Sequence, residues 1–383
     1  MSRPGGRGPL KVLHAVTLHS PTHAFGGPVR VAVNLGRGLA ARGHQVRLTA
    51  LGDGFPGALP TDVDGVPARL YRARSVLPLG FSGITSPALL AGATGLVKDA
   101  DVVHVHLARD LVTLPVALAA LRAGRPLVLQ THGMVDPSDK PLARLLDAVA
   151  VRRVLRGASA VLYLTDRERR DLDAVVGGPL TGAVRLVNGV PAAAPEPRPA
   201  PTGPPRILYA ARLQARKRPT DFVAAVPEIL RHHPDATFVL AGPDEGERAA
   251  VDALVARLGV GDRVSLPGPL TSERMLEELR RAHVYVLPSV DEPFPMSVLE
   301  ALSVGTPSVV TTSNGLARDI ADAGAGRVVT DAAGLAPAVR ELLEPGAHSA
   351  ASAAARKLAA EAFSMDAVLD TLLGVYDRAA GPS

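Results

Sequence analysis

The 383-residue chain contains no cysteine. That excludes disulfides and thiolate metal sites and leaves a reducing compartment as the economical assumption. Tryptophan is absent too, and aromatic residues make up only 3%. Stacking platforms for single-stranded nucleic acid are therefore poorly supplied, and nucleic acid is not an expected partner. No uninterrupted apolar stretch reaches the roughly 18 to 20 residues that span a bilayer. The opening "MSRPGGRGPL" also lacks the apolar run of a signal peptide, so a cytoplasmic protein is expected. A strong charge of one sign is missing as well: the net charge of +5 suits an enzyme acting on anionic small molecules as readily as a nucleic-acid surface.

What is present is a globular composition, with 47% apolar and 21% charged residues. The length exceeds what one core usually supports, which predicts two domains. "LKVLHAVTL", the loop "HSPTHAFGGP", the helix-spaced "VRVAVNLGRGLAARGH" and "QVRLTAL" form a strand, loop, helix, strand unit. Further strand-like runs are "DVVHVHL", "PLVLQTH", "ASAVLYLT" and "VRLVNGV". The proline-rich stretch Pro191 to Arg206 can be neither helix nor central strand and reads as a linker. Beyond it, "RILYAARL", "ATFVLAGP", "RVSLPGPL", "AHVYVLPS" and "TPSVVTT" begin a second alternating series. The expected fold class is α/β: two doubly wound, Rossmann-like domains facing across a cleft, with ligands at the carboxyl ends of the strands. The boundaries expected are 1–190 for an N-terminal acceptor-binding domain, 191–206 for the linker and 207–362 for a C-terminal donor-binding domain. Residues 363–383 are expected as a helix crossing back towards the first domain.

Within the second series, "VDEPFPMSVLEAL" follows a strand and turns into a helix. A helix start offers N–H groups without partners and the positive end of the dipole, which suit a phosphate. Glu292 falls in the loop and Glu300 one to two turns into the helix, so the two carboxylates are spread along a ligand rather than clustered. Taken alone, they read as a solvated turn residue and a dipole-favoured glutamate. The loop "ARLQARKRP" changes that balance, because Arg212 and Lys217 there supply cations at another carboxyl strand end, suited to a departing diphosphate.

The segments "RLQARK", "LAGPDEGE", "LPSVDEPFPMSVLEALSVGTPSVVT" and "VNGVP" resemble the signature segments of glycosyltransferase family 4, the retaining nucleotide-sugar transferases of GT-B fold. "GGPVRVAVNLGRGLAARGHQV" and "FSMDAVLDTLLGVYD" extend the resemblance over most of the chain. It implies that Glu300 holds the ribose hydroxyls and Glu292 the sugar hydroxyls. It implies further that Arg212 and Lys217 bind the diphosphate, with backbone amides around Phe294, Pro295, Met296, Ser297 and Val298 and the Gly26-Gly27 loop. The base would lie against the backbone near Leu270, and His132 would stand at the anomeric centre or the sugar hydroxyls. The implied catalytic set is His132, Arg212, Lys217 and Glu292, with no metal and no required cofactor beyond a UDP- or GDP-sugar co-substrate. The acceptor would be a glycan, a lipid-linked glycan or a small molecule. The sequence departs from the family's commoner residues at Pro295, Ala211 and Pro191; Pro295 takes one N–H out of the phosphate turn, and its fixed φ suits the first helical position.

Other readings compete. The basic segment Lys140 to Arg156, with Arg144, Arg152 and Arg153, is either a solvated helix face or a peripheral contact with the anionic inner face of a membrane. His104, His106 and His132 could gather at one sheet edge as the ligands of a metal-dependent hydrolase. A nucleotide-sugar epimerase or a catalytically silent binder would share the two-domain architecture.

Overall fold

The computed structural model describes residues 8–21, 26–76, 83–190 and 203–381. Most of the proline-rich linker and part of the glycine loop, residues 191–202 and 22–25, lie outside them. The chain divides into two compact units, Met1–Gly189 with Met365–Ser383, and Val190–Ser364.

In the first unit the strands are β1 Lys11–His19, β2 Gln45–Gly52, β3 Asp62–Val63, β4 Val66–Arg72, β5 Arg74–Ser75, β6 Ile84–Thr85, β7 Val102–His106, β8 Leu127–Gln130, β9 Ala160–Tyr163 and β10 Ala183–Arg185. Among the described residues the main sheet runs in the order β10-β9-β8-β7-β1-β2-β4-β3. All of its pairs are parallel except β3 with β4. The parallel pattern follows from the residues: β7 and β8 are buried at every position, which requires helices on both faces. From β1 the chain proceeds outward to β2, then returns to β7 on the other side, so the strand order reverses between β1 and β7. That is where an open α/β sheet opens a crevice at its carboxyl edge.

Local signals set the helix ends. Thr165 caps the helix Asp166–Val176 by accepting a hydrogen bond from Glu168 N at 3.2 Å, and Gly177 ends it at φ 83°, the left-handed conformation glycine tolerates. The basic segment forms the helix Pro141–Leu146, a wide π turn Asp147–Val151 and the helix Arg152–Gly157. Buried Asp147 accepts from Arg109 Nε at 2.8 Å and Nη2 at 3.0 Å. Arg152 and Arg156 donate to the Val175 and Val176 carbonyls at 2.8 and 2.6 Å, so two of the four arginines serve packing.

The last helix, Met365–Ala380, belongs to this first unit and buries Val368, Leu369, Leu372, Val375 and Tyr376. Arg42 holds it through Asp366 at 2.9 Å and Asp370 at 2.7 Å. Gly38 makes the approach possible, since a Cβ there would lie 2.4 Å from a Leu369 methyl.

The second unit contains β11 Arg206–Ala210, β12 Thr237–Ala241, β13 Val264–Gly268, β14 Val284–Leu287, β15 Ser308–Thr311 and β16 Gly326–Val329. These form one parallel sheet in the order β13-β12-β11-β14-β15-β16. Its order reverses between β11 and β14. No helix among the described residues is long and apolar enough to cross a membrane.

Candidate active site

The loops after β11 and β14 leave the sheet on either side of its reversal point and bind each other. Val290 N donates to the Arg216 carbonyl at 2.9 Å, and Arg216 Nη1 donates to the Asp291 carbonyl at 2.8 Å. This brings Lys217 and Glu292, 75 positions apart, into a direct buried ion pair. Arg216 stands 3.8 Å from the same carboxylate. Burial pushes the Lys217 ammonium below its usual range, and Glu292 opposes that shift. Arg212 lies half-exposed at the mouth of the loop, its Nη1 donating to both Glu245 oxygens at 3.0 and 3.1 Å. The cations are thus charge-balanced in place, each by one carboxylate that an anionic ligand could displace.

The helix Met296–Ser303 begins immediately beyond. Pro295 is its N-cap, with φ −76° and ψ 114°, and not the first helical residue expected from the sequence; the helix begins one position later, at Met296. The reason is its extended ψ, which lets the Pro295 carbonyl accept from Val298 N at 3.2 Å and Leu299 N at 3.3 Å. The N–H groups of Met296 and Ser297 have no acceptor within the helix and remain at its mouth. The Ser297 hydroxyl is bonded to the Tyr285 hydroxyl at 2.8 Å. Phe294 is turned against Phe363, ring centroids 5.9 Å apart, so this residue can serve a ligand only through its backbone. Glu300 is buried on the same helix. Leu270 is half-buried just past β13.

In the first unit, His14 of β1 pairs in register with His104 of β7, and His106 with Gln130 of β8. His14, His104 and His106 are fully buried. His106 Nδ1 lies 2.7 Å from His132 Nε2, and His106 Nε2 lies 3.1 Å from His14 Nδ1. His104 Nδ1 meets the Tyr376 hydroxyl at 2.7 Å. Loss of water lowers His14 to about 3 and His132 to about 3, and holds His104 and His106 well below the usual imidazole range. The imidazoles are neutral.

His132 itself sits at φ 51°, a left-handed conformation uncommon outside glycine. Glu168 holds it there: its carboxylate accepts from the Thr131 hydroxyl at 2.5 Å, Gly133 N at 2.6 Å and Leu164 N at 2.6 Å. Gly26 and Gly27 open the helix that follows β1. A Cβ at Gly27 would meet no atom of the described residues within 4 Å.

Sequence reasoning named Lys217, Glu292 and His132; it did not name His14, Tyr376 and Glu168, which the structure places against the histidines or the His132 backbone. His14 is a single polar residue within an apolar strand. Thr165-x-x-Glu168 has the capping-box spacing, which signals a helix start and conceals the carboxylate's second task. The metal-ligand set expected from His104, His106 and His132 is altered: ligand atoms within 4.8 Å of one another belong to His14, His104 and His106, and His132 joins them through a hydrogen bond.

The family model described as "Glycosyl transferases group 1" matches residues 192–358, and that of a "Glycosyl transferase 4-like domain" matches residues 26–189. A D-inositol 3-phosphate glycosyltransferase of Acidothermus cellulolyticus is 31% identical over 78% of this chain and 72% of its own. The chain belongs to the group 1 glycosyl transferases. A glycogen synthase of Mycobacterium tuberculosis is 30% identical over 72% of this chain and 68% of its own length. The Anabaena Alr3699/HepE structure with UDP and glucose superposes with a TM-score of 0.72 at 17% identity, over 95% of this chain and 98% of that one. The fold is GT-B, as the residues led one to expect, and the protein is a nucleotide-sugar glycosyltransferase. Neither the hydrolase nor the epimerase or silent-binder reading is favoured by these relatives.

Proposed function

We propose that the domain expected at residues 207–362, within the second unit, binds a UDP- or GDP-sugar at the carboxyl ends of β11 and β14, and that the sugar passes with retention to an acceptor bound mainly by residues 1–190. The observation that carries this reading is the buried Lys217–Glu292 pair beside the open helix start at Met296. A diphosphate placed on the Met296 and Ser297 amides would draw the Lys217 and Arg212 charges away from Glu292 and Glu245. Glu292 would then be released to accept from the sugar's hydroxyls, with Glu300 accepting from the ribose and the backbone near Leu270 meeting the base. The family resemblance adds the helix start at Gly26-Gly27 to the phosphate contacts and sets His132 at the sugar. The protein's contribution is positioning and stabilisation of the leaving diphosphate.

The acceptor class remains a glycan, a lipid-linked glycan or a small molecule; the Acidothermus relative's name, an inositol phosphate glycosyltransferase, supports a small phosphorylated polyol as the first to try. A cytoplasmic protein with peripheral membrane contact is a second element of the reading. Leu145 and Val149 are 59% and 67% exposed, beside Arg144 and Arg153 on the same helical segment. The test is a thermal-shift titration with UDP, GDP, ADP and their sugars, because a ligand of the folded state raises its midpoint by mass action. Product anomeric configuration read by NMR follows once a donor and an acceptor are found. No shift and no diphosphate release with any donor would overturn the proposal; co-sedimentation with anionic but not neutral vesicles tests the membrane contact.

A further inference from the structure

We infer that His106 and His14 are positioning residues that fix His132 in the Nδ1–H tautomer, so that it presents a hydrogen-bond donor, and not an acceptor, to the sugar. This deepens the reading of His132 given above. A neutral imidazole carries one donor and one acceptor, so a chain of such rings has only two consistent directions. The chain here is His14 Nδ1 to His106 Nε2 at 3.1 Å, then His106 Nδ1 to His132 Nε2 at 2.7 Å. If His132 donates inward, His14 must carry its proton on Nε2. That atom is buried and has no hydrogen-bond partner among the described residues, and an orphaned buried N–H is rarer in folded proteins than an orphaned acceptor. The opposite direction leaves a bare lone pair at His14 Nε2, makes His14 and His106 the donors, and leaves the proton of His132 on Nδ1, the nitrogen the chain does not occupy.

The rings are also fixed in orientation. His106 stacks on His132 with planes 7° apart and on His104 with planes 6° apart. Glu168 fixes the His132 backbone from the other side. A donor at Nδ1 suits an oxygen that gains negative character, whereas an acceptor would compete with the carboxylates for sugar protons.

Two-dimensional NMR of the ¹⁵N-labelled protein reads each imidazole's tautomer without any donor or acceptor. The expected result is His132 protonated at Nδ1 and bare at Nε2. In His106→Leu the His132 signal should move to the Nε2–H form that free histidine favours. His106→Asn, whose side-chain amide can reach where Nδ1 stood, should restore the Nδ1–H form. With a donor, His106→Leu should lower kcat by about tenfold to hundredfold at little changed donor KM, and His106→Asn should recover part of it. His132 protonated at Nε2 in the unaltered protein overturns the inference, as does a tautomer unmoved in a folded His106→Leu variant. Absence of transferase activity with every donor would overturn the functional reading while leaving the tautomer measurement standing.

Discussion

The two carboxylates Glu292 and Glu300 are proposed to have different jobs, and single substitutions should separate them. Glu300 is buried in a short helix and is proposed to hold ribose. Glu300→Gln should raise the Kd for the nucleotide by about tenfold to hundredfold, the loss of one or two charge-assisted bonds of about 1 to 3 kcal/mol; an unchanged Kd in calorimetry would remove it from the site. Glu292 is bound into the protein by Lys217. Lys217→Met should cost about 3 to 5 kcal/mol in denaturant unfolding, since it strands a buried carboxylate. Arg216 at 3.8 Å places the loss towards the lower end. The double variant Lys217→Met/Glu292→Gln should regain most of that stability but no turnover. If the double variant turned over donor at the wild-type rate, the pair would be structural only.

At the scale of elements, both sites depend on where strands end. Gly242 follows β12 at φ 148°, and a Cβ there would stand 1.9 Å from the Ala211 carbonyl oxygen. Gly242→Ala should therefore push the loop that carries Arg212 out of place and lower the thermal midpoint by several degrees, with donor affinity falling alongside. An unchanged midpoint and affinity would show that the loop yields freely. The places of Lys217, Glu292 and Glu300 were legible in the sequence because they fall where apolar strands give way to loop or helix, a change of texture visible in one dimension. Pro295 was misplaced by one residue because N-cap and first helical positions differ in ψ, which proline does not fix. The histidine chain was only half legible: His104 and His106 share a strand face by their spacing of two, but His14 joins them through the register of β1 on β7. Sequence does not display a pairing between strands 90 residues apart.

For the whole molecule, four neutral imidazoles gathered in one unit make acid stability a property of the fold. Their native pKa values lie below those of the unfolded chain, at about 3 for His14 and His132. Above pH about 6.5 both states are neutral and they contribute no pH dependence. As pH falls below that, the unfolded chain takes up protons that the folded chain refuses, and stability declines by up to about 1.4 kcal/mol per pH unit for each histidine. Urea midpoints should be level from pH 8 to 7 and drop steeply between 6 and 5. In His14→Leu, which removes one of the four, the drop should be shallower; an identical profile would mean that His14 titrates normally in the fold.

Tyr376, the hydroxyl partner of His104, belongs to the last helix. A chain ending at Ser364 should therefore leave the first unit without its cooperative transition in calorimetry while the second unit keeps its own. Retention of both transitions would show that the helix is dispensable. Because that helix is made after everything in the second unit, the first unit cannot be completed during synthesis of its own half. The second unit is made as an insertion within an unfinished partner, and the histidine chain's companion helix is made last, so any product truncated before Met365 carries a first unit in which His104 lacks its Tyr376 partner.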